Sequence, residues 1–163
     1  SVWAIPVERA YNPNAQKMAE LIQRYLADVE VEVNIVSYDW STFRRQLRQG
    51  NHDSVLIGWS ADNGDPDNFY RPLLSCDAIP SGTNRARWCN PAYDEILDRA
   101  LQTEDVDIRK ALYFQANELL FDKLPMVPIA HAFRYQAYRE ELNGMVINPY
   151  GGVRLGGVTK QRD

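Results

Sequence analysis

The densest run of polar side chains in the 163-residue sequence is Asp62-Asn63-Gly64-Asp65-Pro66-Asp67-Asn68. Its carboxylates and amides suggest calcium, but an EF-hand loop opening at Asp62 needs an oxygen ligand at its fifth position, a glycine at its sixth and a glutamate at its twelfth. Those places hold Pro66, Asp67 and Leu73, so the calcium reading fails. Asp65-Pro66 has instead the chemistry of a helix N-cap and first helical residue, with Asp67 complementing the helix dipole. Asp62 lies before that start, at the exit of the apolar run Val55-Leu56-Ile57-Gly58-Trp59, where a carboxylate can face a crevice and receive a cationic group. Arg9 holds the corresponding place after the earlier run Val2-Trp3-Ala4-Ile5. A guanidinium at one strand exit and a carboxylate at its neighbour make a site of split polarity. Two extended residues span roughly 7 Å, so a short zwitterion would lay its carboxylate on Arg9 and its ammonium on Asp62. Two solvated surface charges, or an ion pair between them, account for the same residues.

Other reactive chemistry is sparse. His52 and His131 are the two histidines, neither falls in His-Glu-x-x-His, and there is no Gly-x-Ser-x-Gly elbow. Gly151, Gly152, Gly156 and Gly157 follow no strand-to-helix pattern, so no phosphate cradle is expected. Asp62 and Asp65 as acid and base leave a secreted hydrolase as a weak alternative. Cys76 and Cys89 enclose a polar segment with Pro and Gly. They either bridge, contributing about 3 kcal/mol and implying an oxidising compartment, or are two unrelated buried thiols. Zinc is disfavoured because no second Cys or His pair lies nearby. No metal and no cofactor are expected.

The elements that must position Arg9 and Asp62 follow from hydrophobic periodicity. Val2–Ile5 reads as a strand, Asn12-Pro13-Asn14 as a helix start, and Met18, Leu21, Ile22, Tyr25 and Leu26 as a helical stripe. Val29, Val31, Val33 and Ile35 alternate with polar residues, which predicts a strand toward a sheet edge. Asp39 caps a second helix through Trp40, Phe43 and Leu47, and Gly50 stops it. The unbroken run Val55–Trp59 predicts a strand buried on both faces, the central one. Right-handed crossovers then give an α/β fold with an open, mostly parallel sheet flanked by helices and starting in the order 2-1-3. The exits of the first and third strands open into one crevice, where such sheets bind ligands.

Beyond residue 60, helices are predicted from Asp65 toward Leu74, from Asn90-Pro91 through Leu101, and through Ile108, Leu112, Leu119 and Leu120. Pro125 and Pro128 limit any strand between them. Phe133, Tyr135 and Ala137 alternate, and Val153-Arg154-Leu155 reads as a strand lacking a partner. No internal repeat and no second core are expected.

Hydrophobic residues make up 45% and charged residues 25% of the chain, which excludes disorder, collagen and coiled coil. Eighteen Lys and Arg against 22 Asp and Glu give a net charge of −4 with no basic block, so nucleic acid is not an expected partner. No apolar run approaches the roughly 18 to 20 residues of a spanning helix. The first residues lack a signal-peptide pattern, and the expectation is a chain that neither crosses a membrane nor carries its own address.

Three blocks carry a resemblance: Val7–Asn14, Gly58–Phe69, and Leu74-Ser75-Cys76 with Trp88-Cys89. They resemble the dipeptide-binding proteins of bacterial ABC transporters, in the peptide and nickel solute-binding family. Arg71–Cys76 and Gln136-Ala137-Tyr138-Arg139 are also similar to its antimicrobial-peptide-transport branch. The resemblance implies one lobe of a two-lobed periplasmic-binding-protein type II fold, located in the periplasm and not an enzyme. Short peptides would be its ligands. Its partners would be the missing first lobe of the same protein and an inner-membrane ABC permease. Asp62 matches the aspartate that receives the ligand's α-ammonium, and Arg9 the arginine that holds a dipeptide carboxylate. Gly58, Trp59 and Ser60 match a strand that pairs with the peptide backbone. Cys76 and Cys89 match a bonded pair. Residues 1–147 would form the ligand-binding lobe, with 148–163 returning toward the missing lobe. A haem or antimicrobial-peptide carrier of the same fold is the alternative.

Overall fold

The computed structural model describes residues 1–161. Strand β1 (Val2–Ala4) is buried along its whole length and pairs in parallel with β2 (Ile35–Val36) on one side and β3 (Ser54–Leu56) on the other. The sheet order is β2-β1-β3, as expected from the crossovers. The central strand, however, is β1 and not the Val55–Trp59 run. Among the described residues β3 is an edge, its pairing ends at Leu56, and Ile57 is 40% exposed. An unbroken apolar run reports covered faces and not a central place in the sheet, which depends on lateral pairing, and here β1 has a strand on each side.

The helix α1 (Ala15–Ala27) between β1 and β2 starts where Asn14 accepts the Lys17 N–H at 2.9 Å. It packs through Ala15 and Ala19, while Leu21 and Tyr25 of the expected stripe are exposed. Two alanines permit close approach to the sheet, so the buried face is rotated from the one the larger side chains mark. The expected strand from Val29 also starts later. Glu30 adopts φ +61 and the N–H of Val31 returns to the Leu26 carbonyl, closing the helix with a turn. Val29 is therefore 66% exposed and only Val33 of that alternation is buried.

Helix α2 (Trp40–Gln49) is capped by Asp39, which accepts from the N–H groups of Ser41 and Thr42, and stops at Gly50 with φ +76. Phe43 and Leu47 carry its buried face. Then follow α3 (Asp67–Leu74), α4 (Ala78–Ser81), α5 (Pro91–Gln102) and α6 (Val106–Lys123). Asn90 caps α5 and Asp105 caps α6.

The buried residues form two clusters, which corrects the expectation of one core. Val2–Ile5, Ala19, Val33, Phe43 and Leu47 belong to the first. Leu74, Tyr93, Leu97, Ala100, Leu112 and Ala116 form the second, made by α3, α5 and α6 packing on one another. The polar stretch between β3 and α3 separates them in sequence. Across them, His52 Nε2 lies 3.0 Å from the Arg85 carbonyl oxygen, and Arg87 donates to the Arg48 carbonyl at 3.1 Å. The Cys76–Cys89 disulfide is present, in the loop that makes these contacts.

Past α6, neither alternating segment forms the expected strand. Phe133 and Tyr135 lie outside any strand and are 84% and 86% exposed. Val153–Leu155 has no strand either; β4 (Leu142–Asn143) pairs antiparallel with β5 (Thr159–Lys160) instead. Alternation without a neighbouring strand leaves backbone and apolar side chains unpaired. Among the described residues no helix is long and apolar enough to cross a membrane.

Candidate functional site

The chain leaving β1 folds into a tight turn in which Arg9 and Asn12 exchange both backbone hydrogen bonds, at 3.1 and 3.0 Å. Asn12 is buried and its Oδ1 accepts the Asn14 N–H, tying the turn to the start of α1. Arg9 projects from this turn to the first residue of α2, with its guanidinium carbon 4.8 Å from the Trp40 ring centroid. A cation over an indole face keeps its charge while its orientation is fixed. Arg9 is exposed.

The chain leaving β3 passes Gly58, Trp59 and Ser60 outside any ladder. A β-carbon on Gly58 would stand 2.5 to 2.8 Å from ring atoms of Tyr11. The absence of a side chain at 58 thus admits Tyr11, and through it the two strand exits meet, as the 2-1-3 order requires. The indole Nε1–H of Trp59 is shielded from solvent without a partner among the described residues.

Asp62 follows on an exposed loop bound to itself. Its N–H donates to Asn68 Oδ1 at 2.9 Å, and the Asp65 N–H donates to Asn63 Oδ1 at 2.9 Å. Tyr150 lies against Gly64, with its hydroxyl 2.6 Å from the place of an absent β-carbon. Asp62 and Arg9 make no ion pair with each other, so that alternative falls away.

The other carboxylates of the cluster have structural tasks. Asp65 Oδ1 accepts the Asp67 N–H, and both oxygens accept from Arg109 Nη2 at 2.7 Å. That hydrogen-bonded guanidinium holds the Asp65 carboxyl below the usual carboxylate range. Asp67 binds Arg71 one turn along α3, and Arg71 reaches Asp98 on α5. Asp65 is therefore not free to act with Asp62 as an acid and base pair. Among the described residues no group of three or more His, Cys, Asp and Glu could hold a metal ion. A depression beside the sheet, about 320 Å³ and lined by Ile5, Val7, Glu8, Pro13, Gln16 and Ser37 among others, includes neither Arg9 nor Asp62.

The sequence pattern missed three residues that shape this site: Tyr11, Trp40 as the seat of Arg9, and Asn68 as the acceptor that fixes Asp62. A glycine in a run of strand formers is the signal that points to a close neighbour such as Tyr11.

The model of the bacterial extracellular solute-binding proteins, family 5 Middle, matches residues 3–81. The chain is 42% identical over 99% of its length to the dipeptide-binding protein of Pseudomonas aeruginosa, of which it covers 30%. It is also 42% identical over 99% of its length to the peptide transport periplasmic protein SapA of Salmonella typhimurium, covering 29% of that protein. The crystal structure of a dipeptide-binding protein from Pseudoalteromonas sp. SM9913 in complex with Met-Leu superposes with a TM-score of 0.87 at 49% identity, over 98% of this chain and 32% of that one. The chain thus spans about a third of the length of these relatives. By the matched block, the 42% identity over nearly its whole length and the shared fold, it is similar to the bacterial extracellular solute-binding proteins of family 5.

Proposed function

We propose that the chain forms one lobe of a periplasmic solute-binding protein that receives short peptides and delivers them to an ABC permease in the inner membrane. The observation that carries this reading is the pair of exposed, mutually unpaired charges, Arg9 and Asp62, on two strand exits joined by Tyr11 and Gly58. Asp62 takes the peptide's α-ammonium and Arg9 its carboxylate. Backbone groups of Gly58, Trp59 and Ser60, which are in no ladder, bind the peptide main chain as an added strand, so side-chain sequence matters little. A second lobe, supplied by the rest of a chain of the relatives' length, closes over the ligand. Closure lowers the local dielectric and strengthens both ion pairs severalfold over their value in water. The segment that begins at residue 148 returns toward that lobe; Arg162 and Asp163, the end of the expected segment, lie outside the described residues. Identity to the dipeptide-binding and SapA relatives is equal, so the reading is framed for peptides with a free amino terminus, whichever branch they serve.

Mass spectrometry of material co-purifying with a chain of the relatives' length bearing this sequence tests the proposal. Short peptides with free amino termini are expected. A protein that carries haem or another cofactor in place of peptides, or that hydrolyses the peptides supplied to it, overturns the reading.

A further inference from the structure

Helix α2 carries Arg44 and Arg48 one turn apart on an exposed face, where like charges repel. The disulfide loop brings Arg85 and Arg87 to the same end of the helix. Arg87 has a structural task. It adopts φ +51, donates to the Arg48 carbonyl, and lies over Gly50, its Cζ 2.7 Å from the place of a β-carbon. Its charge thereby complements the carboxyl end of α2.

Arg85 has no such task. It is half-buried, and its Nη1 is shielded from solvent without a hydrogen-bond partner among the described residues. This nitrogen lies 3.2 Å from the place of a β-carbon on Gly82, and Arg48 Cγ comes within 2.9 Å of the same point. Burial, and then the charges of Arg48 and Arg44, lower the proton affinity of Arg85. Among the described residues none of Arg44, Arg48, Arg85 and Arg87 is paired with a carboxylate, although the chain carries net charge −4. Asp53, beside the His52 that contacts the Arg85 carbonyl, is taken by the amino terminus. A guanidinium nitrogen shielded from solvent and without an acceptor among the described residues, on a side chain that feels the charges of Arg48 and Arg44, calls for a multivalent anion.

We propose that Arg44, Arg48 and Arg85 form a receptor for a phosphate-type oxyanion, borne by free inorganic phosphate or by a phospholipid headgroup. A dianion with tetrahedrally arranged oxygens offers acceptors to several guanidinium forks at once and neutralises most of the cluster. Arg44 also lies 5.7 Å from the Trp40 ring that seats Arg9, so the receptor adjoins the peptide site without sharing Asp62.

His52 provides the reporter. Burial first, then the charges of Arg85 and Arg87, hold its pKa below the ordinary value. Inorganic phosphate is titrated into the 163-residue chain at constant ionic strength against chloride, and the His52 ring signals are followed by NMR. The expected result is a saturable shift toward the protonated ring. Arg85→Gln and the exposed Arg44→Gln each weaken it at least about tenfold. A saturable shift that both folded glutamine variants retain overturns the receptor. Sedimentation with phosphatidylglycerol vesicles separates the sources. Co-sedimentation lost in Arg44→Gln assigns the headgroup, a response to inorganic phosphate alone assigns the free anion, and failure of both contradicts the proposal.

Discussion

Replacing Gly58 by alanine tests the contact that joins the two strand exits. The added carbon would stand 2.5, 2.7 and 2.8 Å from Cδ2, Cγ and Cε2 of Tyr11. Comfortable carbon–carbon separation is about 3.5–4.0 Å, so the ring must retreat by roughly 1 Å. Tyr11 lies inside the turn closed by Arg9 and Asn12, and that turn is anchored by buried Asn12, which limits its room to move. Overpacking of this kind costs about 1–3 kcal/mol. In a chain of this size each kcal/mol lowers the melting temperature by about 2–4 °C. Thermal unfolding followed by circular dichroism measures the loss, and Tyr11→Ala in the same background should recover most of it, a coupling of about 1 kcal/mol or more. Losses that add without coupling, or a Gly58→Ala protein as stable as the parent, would refute the claim that Tyr11 bridges the exits.

Other expectations concern the supports of the site. Asp65→Asn removes the Arg109 pair, and with both side chains partly exposed (37% and 27%) the loss is about 1 kcal/mol or less. Because the folded-state pKa of Asp65 is depressed, its contribution is fully present above the unfolded value near 3.8 and disappears as pH falls through the lower folded value. Acid titrations of stability should therefore be shallower below about pH 4 in Asp65→Asn than in the parent. Reducing the Cys76–Cys89 bond is expected to cost about 3 kcal/mol, read from urea unfolding with and without reductant. A count of two free thiols in denatured, unreduced protein would contradict the bond.

Local chemistry made much of this molecule legible in the sequence. Asn14, Asp39 and Asn90 cap the helices at which they were expected, and Gly50 terminates α2, because caps depend on a few adjacent atoms. Asp65 and Asp67 do the structural work their spacing implies. The errors arise where tertiary context decides. Glu30 takes a left-handed turn that ordinarily favours glycine, so nothing in Val29–Ile35 announces that the helix exit consumes half of the alternating stretch. Ala15 and Ala19, not the larger Leu21 and Tyr25, face the sheet, because closeness of packing outweighs side-chain size. The central place of β1 depends on which strands flank it, a fact that its apolar residues share with β3. At the site, the strand exits that carry Arg9 and Asp62 follow from topology, whereas Trp40, Tyr11 and Asn68 become visible only when distant segments meet.

The most direct measurement is a calorimetric cycle that pairs each end of the ligand with one side chain. In a chain of the relatives' length, a free dipeptide, its N-acetylated form and its C-amidated form are titrated against the parent, Asp62→Asn and Arg9→Gln. Asp62→Asn should weaken the free dipeptide at least about thirtyfold while leaving the N-acetylated form nearly unchanged, and Arg9→Gln should behave in the same way toward the amidated form. Equal losses for all three ligands would contradict the assignment of the two charges to the two ends of the peptide.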